Sequence, residues 1–118
     1  MDDTNFDDPG DLNETNESQR PDLDTTLTAL RDNDGSVNKT LYYGLSMLEQ
    51  DDIRRLAPIW TGLKSVYRRK LLRELVEASE ANFELDYHTL AHFALDDTDP
   101  GVREAAIELL WEDMSIGL

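Results

Sequence analysis

His88 and His92 stand four residues apart, and Asp96 follows four later. On a helix this spacing lines two imidazoles and a carboxylate along one face, and those groups are donors for zinc and related ions. Two ligands one turn apart make a poor site without a well-placed third. The simpler reading is two surface histidines, with no metal and no cofactor. Cysteine is absent, which removes thiolate zinc sites, disulfides and a thiol nucleophile. No Gly-x-Gly-x-x-Gly, P-loop or Gly-x-Ser-x-Gly occurs. The nearest stretch, Gly44-Leu45-Ser46-Met47-Leu48, lacks the second glycine. The expectation is a protein that is not an enzyme.

The basic residues are a second candidate. Residues 53–73 hold seven bases and no acid: Arg54, Arg55, Lys64, Arg68, Arg69, Lys70 and Arg73. Residues 1–24 carry a net −8, residues 74–118 a net −11, and the whole chain of 118 residues a formal −15. Such acidity argues against general binding to DNA or to anionic membranes. The basic band is either compensated by neighbouring acidic helices, the blander reading, or faces an anion such as RNA, a phosphoprotein or an acidic partner segment.

The elements that carry these residues follow from apolar spacing. Residues 1–20 are acidic and hold few sizeable apolar side chains, too little to offset the ordering entropy, and read as a disordered tail. From Pro21 to Leu118 the spacing is helical and never alternating. It predicts helices near 22–31, 38–49, 51–63, 65–80, 86–96 and 100–113, and no strand. Asp51 or Asp52 is expected to cap the third helix, Ser65 the fourth and Asp99 the sixth, with Pro100 in its first turn. Pro58 falls inside the third helix and is expected to kink it. No apolar run approaches membrane-spanning length. The N-terminus has neither the basic nor the apolar region of a signal peptide, so a cytoplasmic protein is expected.

The helices also repeat. Ala29-Leu30-Arg31-Asp32-Asn33-Asp34-Gly35-Ser36-Val37 matches Ala94-Leu95-Asp96-Asp97-Thr98-Asp99-Pro100-Gly101-Val102 at Ala, Leu, Asp, Asp and Val, at an offset of 65. Val37, Val66 and Val102 each mark the start of the second helix of a pair. Helix pairs at such a period read as an α-solenoid of about three antiparallel pairs, because each pair leaves an apolar face that only a neighbour can cover.

The stretch Ala94–Leu110 resembles a HEAT repeat of the short bacterial kind. Asp97, Asp99, Pro100, Val102, Arg103, Ala105 and Ala106 carry the match to its Asp-x-Asp-Pro-x-Val-Arg junction and the Ala-Ala pair that follows. Trp60 to Trp111, with Asn82-Phe83-Glu84-Leu85-Asp86, is similar to a group of bacterial HEAT-repeat proteins. Residue 38 is Asn where Arg is usual, and residue 67 is Tyr. The resemblance implies a binding scaffold over 21–118, with Pro58, Asp97, Asp99 and Arg103 structural. Arg103 is expected to bond Asp97, Asp99 or a carboxylate of the preceding pair.

Trp60 fits the Ile53/Leu56 stripe and is expected in the core. Trp111 lies on the flank of the last helix, where a further pair would cover it. Ile107, Trp111, Met114, Ile116 and Leu118 leave the end without a polar cap. The expectation is a further stretch of solenoid, self-association, or another protein on that flank; the blander alternative is that Met114–Leu118 folds back as its own lid. Three functions follow. The first is a protein–protein scaffold. The second is an anion or nucleic-acid binder through Arg54, Arg55, Arg68, Arg69, Lys70 and Arg73. The third, by fold analogy alone, is a lyase or accessory subunit of the HEAT-like kind.

Overall fold

The computed structural model describes residues 20–82 and 84–116, with side chains described as far as Glu112. All regular structure among them is helical: α1 Leu23–Arg31, α2 Lys39–Gly44, α3 Gln50–Gly62, α4 Ser65–Ala81, α5 His88–Ala94 and α6 Pro100–Ile116. The expected all-α class holds. The acidic tail expected over 1–20 lies outside the described residues except for Arg20. So do the side chains of Met114, Ile116 and Leu118. No helix of the described residues is long and apolar enough to cross a membrane.

Short polar side chains set the helix starts by taking orphan backbone donors. Asp22 accepts from the Thr25 N–H at 2.8 Å, Asn38 from Leu41 at 3.2 Å and Asp99 from Val102 at 2.9 Å. The third start differs from expectation. Glu49 is the cap residue of α3, and the Asp52 carboxylate accepts from its N–H at 2.9 Å. At α4 the cap position is Lys64, and Ser65 is already helical. α3 continues past Pro58 for one more turn, with the proline exposed on its surface.

α2 and α5 are shorter than the apolar spacing predicts. After α2 the chain turns away at Met47, whose φ of 61° lies in the left-handed region. Its N–H donates to the Asp86 carbonyl at 2.7 Å, and the Asp86 N–H donates to Ser46 Oγ at 2.9 Å. The segment after α2 is thus stitched to the loop before α5, and a continued helix is lost to a pairing between residues 40 apart.

α1 packs on α2, and α5 packs on α6. α1 also meets α3, α3 meets α5, and α4 lies along α6. The odd-numbered helices thus neighbour one another in sequence order. α2 is tied to α4 by the Tyr42 hydroxyl, which donates to Glu74 at 2.8 Å. α4 and α6 run in the same sense: Arg69 faces Asp99 and Arg73 faces Glu104.

The buried face between the helices holds Leu30, Leu41, Leu45, Leu56, Trp60, Leu71, Leu72, Leu75, Leu90, Val102 and Leu109. Removing such side chains from water is the main favourable term of the fold. Of the three repeat valines, Val102 is buried and Val37 half-buried, but Val66 is 68% exposed. The expected part of Val66 in the repeat is not visible in its packing. Gly44 lets α2 approach α1 closely: a Cβ there would overlap the buried Thr26 side chain.

Candidate functional site

The basic start of α4 sits between two acidic loops. Successive helical residues turn by about 100°, so Tyr67 and Lys70 share one side while Arg68 and Arg69 point to the other. On the first side, the Tyr67 hydroxyl donates to the Ser36 carbonyl at 2.7 Å and Lys70 Nζ to the Gly35 carbonyl at 2.8 Å. On the second, Arg68 donates to Asp97 at 3.0 Å, and Arg69 Nε lies 3.3 Å from Asp99. The two loops are the two segments related by the 65-residue offset. One helical turn of α4 therefore clamps both copies of the Asp-rich junction.

The centre of the clamp is buried. The Arg68 and Asp97 side chains are only 8% and 4% exposed. Asp97 also accepts from Trp60 Nε1 at 2.8 Å and from the Asp99 N–H at 2.9 Å. Arg68 Nη1 donates to the Leu63 carbonyl. Its Nε is buried with no hydrogen-bond partner among the described residues. Burial opposes ionisation of Asp97. The bonds from the Asp99 N–H, the Trp60 indole and Arg68, together with the Arg68 charge, outweigh it and hold the carboxyl below its ordinary value. Trp60 in turn meets Phe93 edge-on, with ring centres 6.0 Å apart. A cleft of about 340 Å³ opens between Trp60, Phe93 and this ion pair. The Arg68 and Asp97 charges neutralise each other there, and the exposed Asp96 lies at its rim.

The remaining band residues are spread and engaged. Arg54 lies 3.3 Å from Asp51, and Arg55 pairs with Asp24. Arg73 lies 4.0 Å from Glu104 of α6. Each of Arg54, Arg55, Arg68, Arg69, Lys70 and Arg73 thus has an internal partner, and Arg68 is not on the surface.

Arg103 is exposed and donates to the Asp97 backbone carbonyl at 2.8 Å. The expected bond to Asp97 is thus made, but to its backbone carbonyl; among the described residues the Asp97 carboxylate is met by Arg68 instead. The signal for Arg68 was present in the sequence: Arg68, Leu72, Leu75 and Ser79 lie on one helical stripe, and all four are buried.

The His88 and His92 rings pack edge to face, 4.5 Å between centres. Asp96 does not join them into a metal site: among the described residues no three His, Asp or Glu groups are placed to hold an ion. The tyrosines are structural. Burial pushes the Tyr42 hydroxyl up to about 12, with help from Glu74, and that of Tyr67 up to about 12. The Tyr87 hydroxyl, raised by burial, donates to the Tyr42 carbonyl at 2.6 Å.

Trp111 is 65% exposed and Ile107, one turn before it, 48%. They lie on the outer face of α6, opposite Val102, Ala105, Ala106 and Leu109, which are buried. Compared with protein-family models, curated proteins and solved structures, the chain matches none.

Proposed function

We propose that the chain is a non-enzymatic protein-binding scaffold, a short solenoid of three antiparallel helix pairs of the HEAT type. The neighbour order of the helices supports this reading: α1 with α2 and α5 with α6 as pairs, α1, α3 and α5 in sequence, and α4 parallel to α6. In such an assembly each pair leaves a face for the next to cover. The observation that carries the function is the exposed Ile107 and Trp111 on α6, since a large aromatic beside an aliphatic residue is a typical anchor of a protein interface. Nucleic-acid binding through the basic band is the weaker reading, because Arg68 is buried against Asp97, Lys70 is bonded to the Gly35 carbonyl, and Arg54, Arg55, Arg69 and Arg73 each lie within 4.0 Å of a carboxylate of the chain.

Quantitative affinity purification from the native host tests the scaffold reading. Three tagged chains are compared: wild type, Trp111→Glu, and the double variant Arg54→Glu with Arg55→Glu. Co-purifying protein should fall at least about tenfold with Trp111→Glu, the loss of one interface anchor. It should persist in the arginine variant. The same protein set on all three chains would sink the reading.

A further inference from the structure

The exposed face of α6 has a chemistry that narrows its partner. Ile107 and Trp111 form a short apolar ridge about 6 Å long, four residues at 1.5 Å per residue. Beside it, on the flank that turns toward α4, lie Glu104 and Glu108, both exposed. Glu104 has Arg73 opposite it. Beyond that point the flank carries no base: Glu77 and Glu80 of α4 and Glu108 and Glu112 of α6 follow. Glu80 and Glu112 approach each other across the two helices. Burial, and then the Glu80 charge, push the Glu112 carboxyl up. An apolar ridge therefore runs beside a strip of acids that have no cation of their own among the described residues.

We propose that this face docks a basic amphipathic helix, with its apolar stripe over Ile107 and Trp111 and its Lys or Arg residues over Glu80, Glu108 and Glu112. The proposal rests on the scaffold reading and adds the partner's chemistry. Helix against helix suits a ridge at i, i+4 spacing, which enters the groove of a facing helix. The charge decides among occupants. A second copy packed antiparallel about a two-fold axis would bring its own Glu108 and Glu112 onto this strip, where like charges repel. An acidic segment meets the same repulsion. A basic helix supplies the cations the strip lacks and covers the tryptophan in the same movement.

The test uses the full chain and fluorescein-labelled model peptides of about 18 residues, long enough for five helical turns. One carries Leu at i, i+3, i+4 and i+7 and Lys elsewhere. A scrambled peptide keeps that composition without the period. A third has Glu in place of Lys. Binding is read by anisotropy at physiological salt. The amphipathic Leu/Lys peptide should bind, and Trp111→Ala should weaken it about tenfold or more. Glu108→Lys combined with Glu112→Lys should weaken it similarly while leaving Trp111 in place. Both are surface changes, and unchanged thermal melts would show that the fold survives. Equal binding of the scrambled peptide would mean general attraction to an acidic chain and would overturn the proposal. Trp111-dependent binding of the Leu/Glu peptide would overturn it too, while leaving the scaffold reading intact. Binding that ignores both sets of substitutions, or no binding by any peptide, would reject this face as the docking site.

Discussion

Arg68 and Asp97 form an ion pair that is almost wholly out of water, and this fixes what each substitution should do. Removing one partner leaves the other charge buried and unpaired, at a cost of about 3–5 kcal/mol. Arg68→Ala should therefore lower the unfolding free energy by that amount in urea titrations. Arg103→Ala removes one hydrogen bond from an exposed guanidinium and should cost about 0.5–1.5 kcal/mol. Equal losses for the two would contradict the placement. The acid limb follows from the same pair. Asp97 titrates below its unfolded value of about 3.9. Its contribution is complete well above that value and is lost as pH falls through the lower folded value. Thermal melts should show stability dropping in that window, and Asp97→Asn, less stable at neutral pH, should show a shallower drop. At this scale the sequence was only partly legible. Asp97 and Asp99 stood out by their spacing before Pro100. The stripe Arg68, Leu72, Leu75 and Ser79 marks Arg68 as inward-facing, but its partner was not legible, because the pair is set by how α4 meets the loop before α6.

At the scale of elements, two glycines mark close approaches of different kinds. A Cβ at Gly44 would overlap the buried Thr26 side chain, which has nowhere to go. A Cβ at Gly101 would meet the Arg69 side chain, which is flexible and 39% exposed. Gly44→Ala should cost about 1–3 kcal/mol by overpacking. Gly101→Ala should cost less, and Thr26→Ala should relieve part of the Gly44→Ala loss in a double-mutant cycle. Additive effects would separate α1 from α2 at this point. Six helices were readable from apolar periodicity, and the four longest nearly to their ends. The ends of α2 and α5 were not. They depend on Ser46, Met47 and Asp86 bonding across 40 residues, and no local pattern encodes that. The start of α3 was displaced for a smaller reason: Glu49 with Asp52 forms the cap that Asp51 or Asp52 alone was expected to provide.

At the scale of the molecule, charge is arranged to be consumed internally on one side and left over on the other. The bases of α3 and α4 meet Asp24, Asp51, Asp97, Asp99 and Glu104, while the acids of the outer strip of α6 beyond Glu104 meet no base among the described residues. Binding to duplex DNA or single-stranded RNA at physiological salt should be undetectable in filter-binding assays. A measurable affinity with a steep salt slope would show that the band releases its partners. The proposed docking face was visible in the sequence as the flank carrying Ile107 and Trp111, but the acids that border it became a strip only once α4 and α6 lay side by side. The central claim is that this face is where another protein docks. A photo-crosslinking residue placed at Ile107 in cells of the native host tests it most directly, with the same residue at exposed Arg31 of α1 as reference. A discrete protein adduct is expected from position 107, none from 31, and loss of the adduct when Trp111→Glu is added. Adducts of equal yield from both positions, or none from 107, would contradict it.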